Sequence, residues 1–174
     1  MRKEMSAAST LFAFVLLAHA DTPVPPPPGK PAGCAAGQYR EFDFWLGDWN
    51  VTQHGKPVGT NRIDRILDGC ALLENWRGVN GSAGNSLNYY DSTRGVWHQT
   101  WVDDQGAPLE LEGGYQGGQM VMTGNTLDPS SGKTVINRLT WTPQTDGKVR
   151  QHWEVSADNG RTWTTAFDGL YEKK

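Results

Sequence analysis

Short runs of alternating apolar and polar residues follow one another from residue 45 to the end of the chain, separated by clusters rich in Gly, Asn, Asp and Pro. Alternation with a period of two is typical of β-strands, and helical spacing is almost absent. The turn-forming residues supply the conformations and local hydrogen bonds that tight turns require. The pattern predicts about ten strands. Their predicted cores are Trp45–Gln53, Gly59–Ile66, Ala71–Gly78, Ser86–Tyr90, Val96–Val102, Pro108–Gly113, Gln119–Asn125, Lys133–Thr142, Lys148–Val155 and Thr162–Tyr171.

The connections between these runs are short, which indicates a meander in which each strand pairs with its neighbours in sequence. An open meander has two exposed edges, and closing it removes both of them. The sequence therefore predicts an all-β fold, a closed antiparallel up-and-down β-barrel of about ten strands.

Alternation also predicts which side chains point into the barrel. In the fifth strand Trp97, Gln99 and Trp101 share one face. The more apolar faces of the ninth and third strands are expected to point inward as well, although the opposite face of the third strand is an alternative. These two faces comprise Val149, Gln151, Trp153 and Val155, and Leu72, Glu74 and Trp76. The predicted interior thus mixes aromatic rings with amides and one carboxylate.

Residues 1–20 have the three parts of a secretory signal peptide. Arg2 and Lys3 precede an apolar run over Leu11–Ala18, and Ala18-His19-Ala20 forms a cleavage site with small residues. The run is shorter than the roughly 20 residues that span a bilayer, although a retained membrane anchor is the alternative. Cleavage here predicts a periplasmic or secreted protein without membrane association.

Residues 21–38 are rich in Pro and lack apolar periodicity, which predicts an extended, solvated tether. The remaining segment, 39–174, is long enough for one hydrophobic core but not for two, so we expect a single barrel domain there. The formal net charge of the whole chain is −3, and removal of the leader makes it one unit more negative. A mildly acidic domain is not expected to bind nucleic acid or an anionic membrane.

The two cysteines, Cys34 and Cys70, lie outside the predicted leader. An even number of cysteines in an oxidising compartment favours a disulfide, which would tie the tether to the barrel. The alternative is that Cys70 is a small buried apolar residue and Cys34 a free thiol.

The motif Phe42-Asp43-Phe44-Trp45-Leu46-Gly47-Asp48-Trp49 precedes the run of hairpins, and its last three residues resemble the Gly-x-Trp opening of lipocalin-type (calycin) barrels. Further segments resemble a bacterial family of lipocalin-like domains of unknown function. They are Gly69-Cys70, Glu74-Asn75-Trp76, Ser86-Leu87-Asn88-Tyr89-Tyr90-Asp91, Trp97-His98-Gln99-Thr100-Trp101-Val102-Asp103 and Thr140-Trp141-Thr142-Pro143. The resemblance implies a barrel with an internal cavity and carries over no activity. It gives Trp49 a structural role at the closed end.

An aromatic lining with interspersed polar groups is typical of a ligand pocket. The predicted ligand-binding residues are Glu74, Trp76, Asn88, Trp97, Gln99, Trp101, Arg138, Trp141, Gln151 and Trp153. Glu74 lies between apolar neighbours and would need a partner if buried, for which Arg138, Gln99 and Gln151 are candidates. The sequence therefore predicts an exported carrier or binding protein for a small hydrophobic or aromatic molecule, with no cofactor; a homodimer is compatible with it.

Two other functions are alternatives. An enzyme could use Glu74 or Asp103 as a base, but no set of catalytic residues is recognisable from spacing. Barrels of the nitrobindin family resemble this chain in size and hold haem through a late-strand histidine, here His152. Alternation places His152 opposite Gln151, and the histidines of the chain lack metal-ligand spacing, so no metal site is predicted.

The segment Ser156–Trp163 matches the Asp-box pattern Ser-x-Asp-x-Gly-x-Thr-Trp of sialidase-like propellers. A propeller needs several such blades, and this chain has one copy. The segment therefore predicts a structural hairpin turn in which Asp158 binds backbone donors and Trp163 packs against the turn.

Overall fold

The computed structural model of the protein describes residues 33–35 and 37–174. The predicted signal peptide, 1–20, and most of the predicted tether, 21–38, lie outside these residues. Within them, no helix combines the length and the apolar character that crossing a membrane requires.

Ten antiparallel strands form the fold, and each pairs with its neighbours in sequence. The strands are β1 (Gly47–Gln53), β2 (Lys56–Ile66), β3 (Ala71–Gly78), β4 (Ala83–Asp91), β5 (Val96–Asp103), β6 (Pro108–Gln116), β7 (Gln119–Leu127), β8 (Thr134–Pro143), β9 (Val149–Ser156) and β10 (Thr164–Lys173). Because β1 also pairs with β10, the sheet closes into a barrel without a free edge. The predicted fold class is confirmed. Short 3₁₀ helices lie at Gly37–Arg40, Asp43–Trp45 and Leu67–Gly69.

The predicted ends of two strands are wrong, and the reason is local. Trp45, predicted to begin the first strand, lies in a 3₁₀ helix that directs its ring into the core. Thr162, predicted to begin the last strand, still belongs to the preceding turn, where its backbone N–H donates to Asp158 Oδ1 at 2.8 Å. The backbone N–H of Trp45 donates to the Phe42 carbonyl within the 3₁₀ helix, whereas that of Thr162 is held by the Asp158 side chain, so neither residue pairs with the sheet.

An aromatic cluster closes one end of the barrel. The segment before β1 crosses this end and inserts Phe42 and Trp45, whose rings stack with their centroids 4.9 Å apart. Trp45 also packs on Trp141 at 5.5 Å, and Trp49 Nε1 donates to the carbonyl oxygen of Trp45 at 2.8 Å. Trp97 contacts the same cluster through Phe42. We call these five residues the closed end; four are completely buried and Trp97 is 1% exposed.

Gly47 has a φ of +125°, a conformation that side-chain-bearing residues rarely adopt. A Cβ atom there would lie 2.4 Å from Lys173 Nζ, which sits 4.1 Å from the centre of the Trp49 ring in a cation–π contact. The Gly-x-Trp motif therefore lets β1 start beside the end of β10, and Trp49 has the structural position that the sequence suggested.

A disulfide joins Cys34 to Cys70, with their Cα atoms 4.8 Å apart. Cys70 lies in the turn between β2 and β3, at the closed end of the barrel. The bond links the segment before the barrel to this turn across a sequence separation of 36 residues.

The Asp-box segment forms the turn between β9 and β10. Asp158 accepts hydrogen bonds from the Ser156 hydroxyl and from both the backbone and the side chain of Thr162. These bonds lower the pKa of Asp158 to about 2. Trp163 Nε1 donates to the Gly160 carbonyl at 3.1 Å, so the segment is a self-contained turn, as predicted.

Replacing Trp45 by Ala is expected to lower the free energy of unfolding by about 3 to 5 kcal/mol, because it leaves a cavity in the closed end. Leu127, which is 70% exposed, provides the control, and its replacement by Ala should change stability by no more than about 0.5 kcal/mol. Urea unfolding measures both values. Equal, small effects would contradict the assignment of the closed end as the core.

Replacing both cysteines by Ser is expected to lower the free energy of unfolding by about 2 to 4 kcal/mol, since the bond closes a long loop in the unfolded chain. A reducing agent should produce the same loss in the unaltered protein and no change in the double variant. If the reducing agent leaves urea unfolding of the unaltered protein unchanged, the pairing is wrong.

Candidate ligand-binding cavity

The end of the barrel opposite the closed end contains a cavity of about 230 Å³. An apolar cavity of about 150 Å³ is large enough to hold benzene, so this one has room for a one- or two-ring molecule. Its wall consists of aromatic and aliphatic side chains, with a carboxylate, two amides and a phenol among them. The lining residues are Glu74, Trp76, Gln99, Trp101, Leu109, Leu139, Gln151, Trp153, Ala166, Phe167 and Tyr171.

Residues on the inward faces that alternation predicts line the cavity. In β5, Trp97 and Gln99 are buried and Trp101 is half-buried, while the residues between them lie on the outer face. In β3 the inward face carries Glu74, so the alternative face for that strand is wrong.

Glu74 is 5% exposed, and each of its carboxylate oxygens accepts a hydrogen bond. Asn61 Nδ2 donates to Oε1 at 2.6 Å, and the Ser86 hydroxyl donates to Oε2 at 2.6 Å. Both partners come from the strands that flank β3, because the register sets Asn61 and Ser86 beside Glu74 on the inner face. Among the described residues, no Lys, Arg or His forms an ion pair with this carboxylate or lines the cavity.

A chain of hydrogen bonds runs from Glu74 to Gln99 on β5. Ser86 Oγ accepts from Asn88 Nδ2 at 2.8 Å, and Asn88 Oδ1 accepts from Gln99 Nε2 at 2.7 Å. An ionised carboxylate can only accept, which fixes the direction of every bond in the chain. Gln99 must therefore use its amide nitrogen toward Asn88, and its Oε1 is left without a partner within the described structure.

A second branch runs from Glu74 to Gln151 on β9. Asn61 Nδ2 also approaches the Tyr171 hydroxyl at 3.4 Å, and that hydroxyl donates to Gln151 Oε1. This bond leaves Gln151 Nε2 available to the cavity. The floor of the cavity thus presents an acceptor from Gln99 and a donor from Gln151, on either side of Glu74.

Burial raises the pKa of Glu74 to about 7, and the bonds from Ser86 and Asn61 oppose this shift by stabilising the ionised form. Burial also raises the pKa of the Tyr171 phenol, and the negative charge of Glu74 adds to that effect. Near neutral pH, Tyr171 is therefore a neutral hydroxyl and Glu74 can gain or lose its proton.

An open depression in front of the cavity, which we call the vestibule, shares Trp76, Trp101 and Trp153 with it. Its outer wall comes from the β3–β4 and β5–β6 turns and includes Asp103 and Asp104. The three indoles therefore separate the vestibule from the polar floor.

Six of the ten predicted ligand-binding residues line the cavity. They are Glu74, Trp76, Gln99, Trp101, Gln151 and Trp153. Asn88 is completely buried behind Gln99 and acts through it, whereas Trp97 and Trp141 belong to the closed end.

Arg138 does not face the cavity, so the prediction that it binds the ligand is wrong. It alternates with the inward residues Asn137 and Leu139, lies on the outer face of β8, and binds Glu154 with Nη2 2.9 Å from Oε2. Its guanidinium carbon also lies 3.9 Å from the centre of the Trp163 ring. Arg138 is therefore not a partner of Glu74, whose carboxylate is bound by the uncharged side chains of Asn61 and Ser86.

His152 lies on the outer face of β9, where Nε2 is 3.1 Å from the Thr165 hydroxyl. The cavity is lined instead by its neighbours Gln151 and Trp153. The haem alternative required His152 to point inward, so it loses its basis. Over the residues that the structure describes, no group of three His, Cys, Asp or Glu side chains is arranged to hold a metal ion.

Five lining residues were not predicted: Leu109, Leu139, Ala166, Phe167 and Tyr171. Simple alternation along β6 and β8 points to the two leucines. The residues of β10 are harder to assign, because a bulge between Thr165 and Phe167 interrupts the alternation. Asn61 and Ser86 carry no sequence signal of their own, and only the register reveals them as partners of Glu74.

No protein-family model and no curated protein matches this sequence. Fold and geometry define the protein as a closed ten-stranded β-barrel whose interior is compatible with ligand binding.

The raised pKa of Glu74 predicts that stability falls as the pH rises. The folded state holds the proton up to a pH of about 7, whereas the unfolded chain releases it near 4.5, so this contribution is complete below 4.5 and is lost as the pH passes 7. Between pH 5 and 8 the loss should be on the order of 2 kcal/mol.

Glu74→Gln removes this titration while keeping the shape of the side chain. The difference between the two proteins in urea unfolding at pH 5 and 8 isolates the effect, because all other ionisable groups are the same in both. Parallel pH profiles would contradict the burial of an ionisable Glu74.

Proposed function

We propose that this protein is an exported binding or carrier protein that holds a small, partly apolar molecule inside its barrel. One observation carries the proposal, namely the cavity of about 230 Å³. It lies between the indoles of Trp76, Trp101 and Trp153 and the hydrogen-bonded floor. Ligand pockets are usually concave and apolar with a few convergent polar groups, and this cavity has both features.

The polar groups of the floor support binding because their positions are fixed. Glu74 is held by Asn61 and Ser86, and Gln99 is held through Asn88, so neither side chain has to be ordered when a ligand arrives. Such preorganisation lowers the entropic cost of binding.

Export is supported by two observations of different kinds. Residues 1–20 have the pattern of a signal peptide, and the Cys34–Cys70 disulfide suits an oxidising compartment such as the periplasm or the exterior. The resemblance of Gly47-Asp48-Trp49 to the opening of calycin barrels agrees with a ligand-holding barrel. The resemblance of segments such as Glu74-Asn75-Trp76 to bacterial lipocalin-like domains agrees with it as well.

A catalytic role for Glu74 is the weaker reading of the same cavity. A pKa of about 7 suits a general base at neutral pH. However, both carboxylate oxygens already accept hydrogen bonds, from Asn61 and from Ser86, which favours a fixed binding group. We therefore propose recognition as the role of this carboxylate.

The test is calorimetric titration with indole and other one- or two-ring aromatic compounds. We expect saturable binding at one site, and we expect Ala166→Phe to weaken it by at least about tenfold. Ala166 lines the cavity at its exposed rim, and a phenyl ring placed there narrows the opening through which a ligand enters.

Thr123→Phe is the matched control, because it adds the same ring on the exposed outer face of β7. It should bind like the unaltered protein. The proposal fails if no compound saturates, or if the two Phe variants bind alike.

A further inference from the structure

We infer that the ligand is an organic cation: a protonated amine on a one- or two-ring apolar body, with its ammonium group at the floor beside Glu74 and Gln99. This inference rests on the proposed binding function and specifies the chemical class of its ligand. It is carried by three features, namely the buried carboxylate of Glu74, the acceptor that Gln99 presents to the cavity, and the composition of the walls and the entrance.

The first feature is a buried carboxylate without a counter-ion. A carboxylate removed from water is costly unless a charge of opposite sign or several hydrogen bonds compensate it. Glu74 has two hydrogen bonds from neutral groups, and across residues 33–35 and 37–174 no cationic side chain reaches the cavity. A cation in the cavity would supply the missing charge.

The second feature is the acceptor that the hydrogen-bond chain directs at the cavity. Gln99 is 2% exposed and lines the cavity, and its Nε2 donates to Asn88. Its Oε1 forms no hydrogen bond with the residues that the structure describes, so it can accept from a ligand. A primary ammonium group carries three donors and no acceptor. Glu74 and Gln99 Oε1 together offer it two acceptors from adjoining parts of the floor.

The third feature is the composition of the walls and the entrance. Trp76, Trp101 and Trp153 stand between vestibule and floor, and indole faces attract organic cations, with Trp the strongest of the aromatic side chains. The vestibule adds Asp103 and Asp104, and its described lining contains no Lys, Arg or His. The entrance and the floor therefore have the same sign of charge, which favours a cationic ligand and disfavours an anionic one.

Two nearby groups set limits on the ligand. Arg77 is adjacent to Trp76 in β3, but it lies on the outer face and donates to the Trp76 carbonyl at 2.7 Å. Gln151 Nε2 is a donor at the other side of the floor, which leaves room for one neutral acceptor, such as a hydroxyl, on the ligand.

The experiment compares three compounds with one ring each at pH 8: 2-phenylethylamine, 2-phenylethanol and 3-phenylpropanoate. We expect the amine to bind about tenfold to a hundredfold more tightly than the alcohol, as a hydrogen-bonded charge pair permits, and the carboxylate to bind most weakly. Glu74→Gln should bring the amine to within about twofold of the alcohol in that variant, because the charge that distinguishes the two compounds is gone.

Glu110→Gln is the matched control, because it removes a carboxylate from the exposed outer face of β6. It should keep the preference for the amine. If Glu74→Gln does not fold, Asp103→Asn with Asp104→Asn provides the second test, since Asn keeps an acceptor for the turn while removing the charge. This double variant should slow association of the amine at low salt by several-fold and leave the alcohol unaffected.

The outcomes separate the two proposals. Equal binding of amine and alcohol would overturn the cation inference and leave the binding function standing. Failure of the amine to bind overturns it as well, and the titrations with Ala166→Phe and Thr123→Phe then decide whether the cavity binds anything. A preference for the amine that survives Glu74→Gln would also contradict the inference.

Discussion

The interior of this barrel is arranged around the buried carboxylate of Glu74, beside which the described part of the chain places no cationic side chain. Glu74 must be compensated where it lies, and the flanking strands bring Asn61 and Ser86 to its two oxygens. Because a carboxylate accepts and does not donate, it also orients Asn88 and Gln99, two and three hydrogen bonds away. The polarity of the cavity floor therefore follows from the charge state of a single side chain.

In the closed barrel, one group of aromatic side chains forms the core and another group lines the cavity. At one end Phe42, Trp45, Trp49, Trp97 and Trp141 fill the interior and give the barrel its core. At the other end the indoles of β3, β5 and β9 remain partly accessible and surround a space that no side chain fills. Tight packing at the closed end stabilises the barrel, so the opposite end can enclose a cavity.

The sequence predicted the barrel and its inner face better than it predicted the site. A period of two is a property of each strand alone, so the inward position of Trp97, Gln99 and Trp101 could be derived without knowing the fold. The partners of Glu74 depend on the register between strands, which a single sequence does not reveal, so the prediction named Arg138 as a candidate and missed Asn61 and Ser86. The separation of Trp97 and Trp141 from the cavity depends on how far along the barrel each lies, and alternation does not contain that information.

The most direct test of a buried Glu74 is a pH titration of its carboxyl carbon by ¹³C NMR in the folded protein. Glu74→Gln is used to assign the signal. We expect the midpoint of the Glu74 titration near pH 7, because the carboxyl group is buried between neutral partners. We also expect a lower midpoint when an amine occupies the cavity, since a cation stabilises the ionised form. A midpoint near pH 4.5, the value of an exposed glutamate, would contradict the claim that the floor of the cavity holds a buried carboxyl group with only neutral partners.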